Sequence, residues 1–285
     1  MNIIFRLVGA LGTNFYKIFA SIETIMSQFR YTTIEIRLSK FIEANKEGLK
    51  KLEKPVELRD EPFKDRYETY MNGGNALRYF SKRNSILSLE AIKEINDINN
   101  KQGKNAKIAY VLNSFKNPHE VKKIRECYGP MFFLIGVHSS EKNRINLLSN
   151  IKGIKPLEDV KYLIKRDEDE NDNCLSYDPR TTEGNPNYHG SSQKTRKTYN
   201  LADIYISVDG SDSYIEEQIK RFVSLIFKAP HITPSKDEYG MYHAYAAALR
   251  SGSLSRQVGA AILTKNGDLI STGCNDVPKT GGGLY

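Results

Sequence analysis

The sequence predicts an α/β protein: a parallel sheet with flanking helices, followed by a smaller, incomplete α/β part made of one helix and a β-hairpin. Three observations predict it. Apolar runs of strand length alternate with longer stretches whose apolar residues recur every three or four positions, the pattern of parallel strands joined by crossover helices. The run Met131–Val137 is almost continuously apolar, as a strand buried on both faces must be. Further on the pattern changes, and two apolar runs flank Lys265-Asn266-Gly267-Asp268; Asn-Gly in that position signals a hairpin.

Ile3–Val8 opens the series as a strand. Phe15, Ile18, Phe19, Ile22, Ile25 and Met26 then fall on one helix face. Thr32–Leu38 alternates and is β-branched, so it reads as the second strand. A helical stretch follows Pro62 through Tyr67, Met71, Leu77 and Tyr79, and another runs from Ser85 to about Asn99. Lys107–Leu112 reads as a strand and Pro118–Cys127 as a short helix. Met131–Val137 and Asp203–Val208 are the last strands of the series, and Ile215–Phe227 is helical. Residues 167–200 differ: the acids of Asp167-Glu168-Asp169-Glu170 lead into Asn, Pro, Gly and Ser, then Lys194-Thr195-Arg196-Lys197, a long polar insertion.

This first domain is placed at residues 1–230, and a second at 231–285. Thr233-Pro234-Ser235-Lys236-Asp237-Glu238 marks a helix start, with acids near the positive end of the dipole. Tyr239, Tyr242, Ala246 and Leu249 lie on that helix, and Val258–Leu263 and Leu269–Gly273 are the hairpin strands. One helix and two strands bury too little for a whole domain, so the chain reads as cut inside its second domain.

Composition narrows the function classes. Of 285 residues, 39% are hydrophobic and 27% charged, with 17 Tyr and 12 Phe, too apolar and aromatic for a disordered chain. No apolar run reaches the roughly 18 residues of a membrane span, and Arg6 interrupts the early apolar patch, which argues against a signal peptide. Three scattered cysteines, Cys127, Cys174 and Cys274, with no CxxC, exclude a disulfide framework and a multi-cysteine zinc site and fit a reducing cytoplasm. The net charge of +8 fits either an anionic partner or a lysine-rich solvated surface.

Four segments carry possible chemistry. Gly9-Ala10-Leu11-Gly12-Thr13 follows a strand and precedes a helix, where backbone N–H groups and the helix dipole hold phosphates. It lacks the lysine of G-x-x-x-x-G-K-[ST], so the bland alternative is a tight turn with Thr13 as N-cap. Arg66, Asn75, Arg78, Lys82 and Arg83 either face a nucleotide or form a solvated basic helix face, and Gly73-Gly74 implies a break or a close approach. The acids from Asp167 on either hold magnesium on a bound nucleotide or are a solvated run. Ser253 and Arg256 before one hairpin strand, with Asn275 after the other, outline a polar pocket. The five histidines show no metal-ligand spacing and are read as structural.

S-L-S-R-Q-V-G-A-A-I-L followed by S-T-G-C-N-D-V-P resembles the first hairpin of zinc-dependent deoxycytidylate deaminases. With L-V-G-A-L-G-T, R-Y-x-x-Y-M-N-G-G-N-A-L-R, F-F-L-I-G-V, R-D-E-D-E, L-A-D-I-Y-I and D-E-Y-G-M-Y-H-A-Y-A-A-A-L-R-S, the chain looks like the two-domain anti-phage dCTP deaminases. That resemblance implies a P-loop kinase-like nucleotide-binding domain joined to a cytidine-deaminase domain. It implies hydrolysis of the 4-amino group of a deoxycytidine nucleotide by zinc-bound hydroxide, in antiviral defence. The metal ligands of H-x-E and P-C-x-x-C do not occur in these 285 residues, so the chain is expected to be inactive alone, with no catalytic or metal residue of its own. The resemblance matches Asn275 to a substrate-contacting Asn and makes Arg256 and Ser253 candidates for the phosphate end; Gly9, Gly12 and Thr13 are the nucleotide-phosphate candidates. It further implies a nucleotide effector at the first domain, possible magnesium with that nucleotide, no membrane, and a homo-oligomer when full length. The rivals are a nucleotide kinase, disfavoured by the missing lysine, and a non-catalytic nucleotide-binding regulator.

Overall fold

The computed structural model describes residues 2–103, 106–113, 116–168, 192–279 and 281–283. They divide into two compact units, Met1–Val223 and Ser224–Tyr285.

The first unit is built on a five-stranded, all-parallel sheet. Its strands are β1 (Ile3–Val8), β2 (Thr32–Arg37), β3 (Ile108–Asn113), β4 (Phe132–His138) and β5 (Ile204–Ser207), in the order β2-β3-β1-β4-β5. β1 lies at the centre, with Ile4 opposite Tyr110 of β3 and Phe132 of β4. All six of its residues are buried, which is why the strand reads as an unbroken apolar run save Arg6.

Helices follow the strands: α1 (Phe15–Gln28), α2 (Leu38–Ala44), α3 (Lys46–Lys50), α4 (Phe63–Phe80), α5 (Ile86–Gln102), α6 (Pro118–Tyr128), α7 (Glu141–Asn146), α8 (Leu157–Glu168), α9 (Thr195–Tyr199) and α10 (Asp212–Ile226). Ile4 and Val8 face a core shared with Ala76 of α4, Ala91 and Ile95 of α5, and Val121 and Ile124 of α6. Phe5 and Phe133 point the other way and meet Phe222 of α10, with ring centroids 6.2 and 5.6 Å from it. The period of two in β1 thus sends alternate side chains into the two helical layers.

Two expectations are corrected here. The N-cap of α1 is Asn14, not Thr13: Asn14 Oδ1 accepts the Tyr16 N–H at 3.2 Å. The polar insertion does not begin at 167, because α8 runs to Glu168 and Asp167 is fully buried. Gly73-Gly74 does not break α4; it allows a close approach. A Cβ on Gly73 would stand 2.8 Å from Ile42 Cγ2.

In the second unit α11 (Lys236–Ala248) opens on a capping box, with Ser235 Oγ accepting the Glu238 N–H and Glu238 returning a carboxylate to the Ser235 N–H. β6 (Gly259–Leu263) and β7 (Leu269–Cys274) pair antiparallel, Gly259 opposite Cys274. Gly267 in the turn takes φ +98°, the left-handed conformation that the Asn-Gly signal anticipates. α11 lies so near β6 that a Cβ on Gly259 would fall 1.9 Å from the Ala244 carbonyl.

Candidate functional site

In a parallel sheet, ligand sites lie beyond the carboxyl ends of the strands. Here Gly9 follows β1, Arg37 ends β2 and Asn113 ends β3, and all three line one cleft of about 450 Å³. The loop Gly9–Thr13 forms its floor. Gly12 takes φ +87°, with Arg144 packed where a Cβ would be, so a side chain there is strained and crowded. Gly9 is equally confined, since its Cβ would stand 2.7 Å from the Val137 carbonyl. Gly9, Gly12 and Thr13, the three phosphate candidates, all line the cleft.

Two of the loop's N–H groups, those of Leu11 and Thr13, and the first two of α1 are engaged within the protein. Leu11 N–H donates to Asp167 Oδ2 at 2.8 Å. Thr13 N–H donates to the Ala10 carbonyl and Phe15 N–H to the Thr13 carbonyl, both at 3.1 Å, and Tyr16 N–H goes to Asn14. The other oxygen of Asp167 pairs with Lys116 Nζ. Asp167 is therefore not the solvated head of an acidic run but a buried carboxylate held against the loop.

The walls are basic. Arg37, Arg66, Arg78, Lys116 and Lys152 line the cleft, and among the described residues no Asp or Glu does. Each arginine is steadied from outside the cleft. Arg37 pairs with Glu35 at 2.7 Å, and Arg66 pairs with Asp60 and lies over the Tyr70 ring at 4.5 Å. Arg78 Nη2 meets Glu120 Oε1 at 2.8 Å. Lys152 Nζ sits 4.7 Å from the centre of the Phe63 ring. Tyr67 and Tyr70 add aromatic surface, and burial raises the Tyr67 phenol above its usual range.

Behind the cleft, Glu120 holds a small ionic core. It is fully buried, completes the capping box of α6 with Asn117, and lies 3.6 Å from Arg6 on β1. Burial pushes the Arg6 guanidinium well below its usual value, and Glu120 pulls it back. One carboxylate thus serves two buried guanidinium groups and fixes Arg78 at the cleft wall, helped by Asn75 Oδ1 at 3.2 Å. Asn75 is a support for Arg78 and is not itself in the cleft lining, and neither are Lys82 and Arg83.

On the other side of the loop a second cavity of about 250 Å³ opens at the end of β4, and Ala10 and Thr13 line both. Arg144, Arg196, His138 and Thr195 are among its walls. The hydroxyls of Thr13 and Thr195 are buried without a hydrogen-bond partner among the described residues.

Sequence reasoning found the loop, Arg66 and Arg78. It missed Arg37, Asn113, Lys116, Lys152 and Gln193. Arg37 and Asn113 were legible in principle as polar residues closing predicted strands; the others come from connections whose placement only the fold decides.

The three hairpin candidates lie together in the second unit. Asn275 Oδ1 accepts the Val258 N–H at 2.8 Å and the Ser251 hydroxyl at 2.9 Å, and Asn275 Nδ2 donates to the Arg256 carbonyl at 2.9 Å. Its amide closes the loop 251–258. Ser253 N–H donates to Ser251 Oγ at 3.2 Å, and Arg256 is exposed. Among the described residues no group of three or more His, Cys, Asp and Glu is placed to hold a metal ion. Asp169, Glu170 and Cys174 lie outside the described residues. No described helix is long and apolar enough to cross a membrane.

No family model matches the chain, and no curated protein matches it. Among solved structures, a gluconokinase from Sinorhizobium meliloti 1021 is 15% identical over 81% of this chain and 98% of its own, with a TM-score of 0.35. A shikimate kinase from Aquifex aeolicus vf5 is 14% identical over 81% of this chain and 99% of its own, with a TM-score of 0.38. An uncharacterized protein from Eubacterium ventriosum ATCC 27560 is 10% identical over 78% and 98%, with a TM-score of 0.34. Likeness this distant carries no functional argument, and the α/β fold rests on its own strand order and register.

Proposed function

We propose that the first unit is a P-loop kinase-like binding module for a nucleotide or a related phosphate-bearing ligand, held in the 450 Å³ cleft. The observation that carries this reading is the lining around a glycine loop: among the described residues, five cationic side chains, four of them paired with carboxylates set outside the lining, and no acidic one. Such a surface suits a polyanion, and Tyr67 and Tyr70 offer faces for a base or sugar. The loop has Thr13 where a phosphate-loop lysine would stand, and that lysine stabilises charge on a transferring phosphoryl group. The reading is therefore a nucleotide binder ahead of a kinase.

Calorimetric titration with ATP, dCTP and pyrophosphate tests it, followed by an assay for ADP and inorganic phosphate. Binding without turnover is expected. Turnover of ATP would make the unit a kinase-like enzyme. Failure of all three ligands to bind at about 1 mM, an affinity of only about 4 kcal/mol, would overturn the reading.

A second reading keeps hydrolytic deamination of deoxycytidine nucleotides for the second unit, as the resemblance implies. Its support is the order of helix, hairpin and Asn275. Against it stand the internal bonds of the Asn275 amide and the lack of a zinc-holding group among the described residues. No ammonia release is expected of this chain, which lacks the metal ligands; binding of dCMP that Asn275→Ala abolishes would promote this reading to first place.

A further inference from the structure

We propose that Lys116 supplies the phosphate contact that the Gly9–Thr13 loop lacks, and that an arriving ligand draws it from Asp167, which is buried behind the cleft lining. This rests on the reading of the cleft as a phosphate site. One buried carboxylate, Asp167, bridges two donors: Oδ2 takes the Leu11 N–H at 2.8 Å, and Oδ1 takes Lys116 Nζ. Of these two donors the lysine ammonium lines the cleft, and it is a partner that a phosphoryl oxygen would take in place of the carboxylate.

Lys116 is placed for the exchange. It lines the cleft, and its side chain keeps 13% of its exposure while Asp167 has none. Its backbone is fixed on both sides: its N–H donates to Glu120 Oε2 at 3.2 Å, and its carbonyl accepts the Lys194 N–H at 2.6 Å. The four-carbon stem beyond that anchor is free to swing a point charge from one anion to another. The lysine comes from the approach to α6 and not from the loop, so a pattern search along residues 9–14 does not find it.

Exchange has a measurable consequence, because a ligand must compete with Asp167. Pyrophosphate affinity is measured for the full chain, for Asp167→Asn, and for the double variant Asp167→Asn with Lys116→Ala. The pair of variants avoids leaving a buried carboxylate without its lysine, and circular dichroism confirms that both fold. Asp167→Asn should bind pyrophosphate about threefold or more tighter than the natural chain, since a neutral amide competes poorly for the lysine. The double variant should bind about tenfold weaker than Asp167→Asn, the loss of one charge-assisted contact. If the double and single variants bind alike while the natural chain also binds, Lys116 is not the contact and this proposal falls, with the cleft reading intact. If neither the natural chain nor Asp167→Asn binds pyrophosphate or ATP, the cleft reading falls and takes this proposal with it.

Discussion

Tyr110 is wholly buried at the middle of β3, and its hydroxyl donates to Asn99 Oδ1 at 2.7 Å. Asn99 Oδ1 also accepts Asn2 Nδ2 at 2.7 Å, so a single amide oxygen ties β1, α5 and β3 together. Burial pushes the Tyr110 phenol up to about 12, and burial likewise raises Tyr128 to about 12. Both shifts favour the neutral form in the folded chain. Stability is then whole below the unfolded value near 10 and is lost as pH rises toward 12. Urea midpoints should hold steady from about pH 8 to about pH 10 and decline above that. Tyr110→Phe should start about 1 kcal/mol lower at pH 8, for want of its hydrogen bond, and decline less steeply above pH 10. Parallel curves for the two proteins would remove Tyr110 from the alkaline loss. At this scale the sequence speaks only where neighbours in sequence act together. Gly9, Gly12 and Thr13 are legible because a loop is local. Asp167 is not: its partner Leu11 lies 156 positions away, and along the chain it looks like the first of several solvated acids.

Among the elements, α4 shows how a helix can be legible in extent yet opaque in its exceptions. The apolar spacing after Pro62 marks it, and it runs unbroken over 18 residues. Its two glycines have different reasons. Gly73 faces Ile42 Cγ2 at 2.8 Å and Leu58 Cδ2 at 3.1 Å from the Cβ it does not have, whereas the corresponding point on Gly74 is 3.5 Å from Ile42 Cδ1, an ordinary contact. Gly74→Ala should therefore stabilise by about 1 kcal/mol, the helix-propensity gain. Gly73→Ala should instead destabilise by about 1–3 kcal/mol through overpacking. Thermal melts of the two single variants check this, and changes of the same sign would show that close approach to α2 is not what retains Gly73. β1, β3 and β4 were legible as near-continuous apolar runs, and β2 as an alternating, β-branched one. The short helices α2, α3, α7 and α9, of five to seven residues, were not, since two turns or fewer give the helical period too little room to show. α8 was long enough and still passed unread, although Val160, Leu163 and Ile164, all buried, carry a helical spacing.

For the whole molecule, alternation of strand and helix announced a parallel sheet, but the order β2-β3-β1-β4-β5 depends on pairings as far apart in sequence as Ile4 and Phe132, and no local pattern encodes them. That order puts β1 at the centre and brings the ends of β1, β2 and β3 to one cleft, and every described residue of its lining belongs to the first unit. The two units differ in how they are closed. The first buries a continuous core on both faces of its sheet. In the second, α11 leaves Met241, Tyr242, Tyr245 and Leu249 exposed, and the hairpin leaves Ile262 and Ile270 exposed, so little apolar surface is removed from water. Division after Ile226, which keeps α10 whole, should separate these behaviours. Residues 1–226 should melt cooperatively and bind pyrophosphate within about twofold of the full chain, since every lining residue is retained. Residues 227–285 alone should show no cooperative transition and should bind a hydrophobic dye, because a helix and two strands bury too little to offset the entropy of ordering them. If instead the first fragment folds but loses the ligand, the second unit contributes to the site, and the assignment of binding to the first unit by itself is wrong.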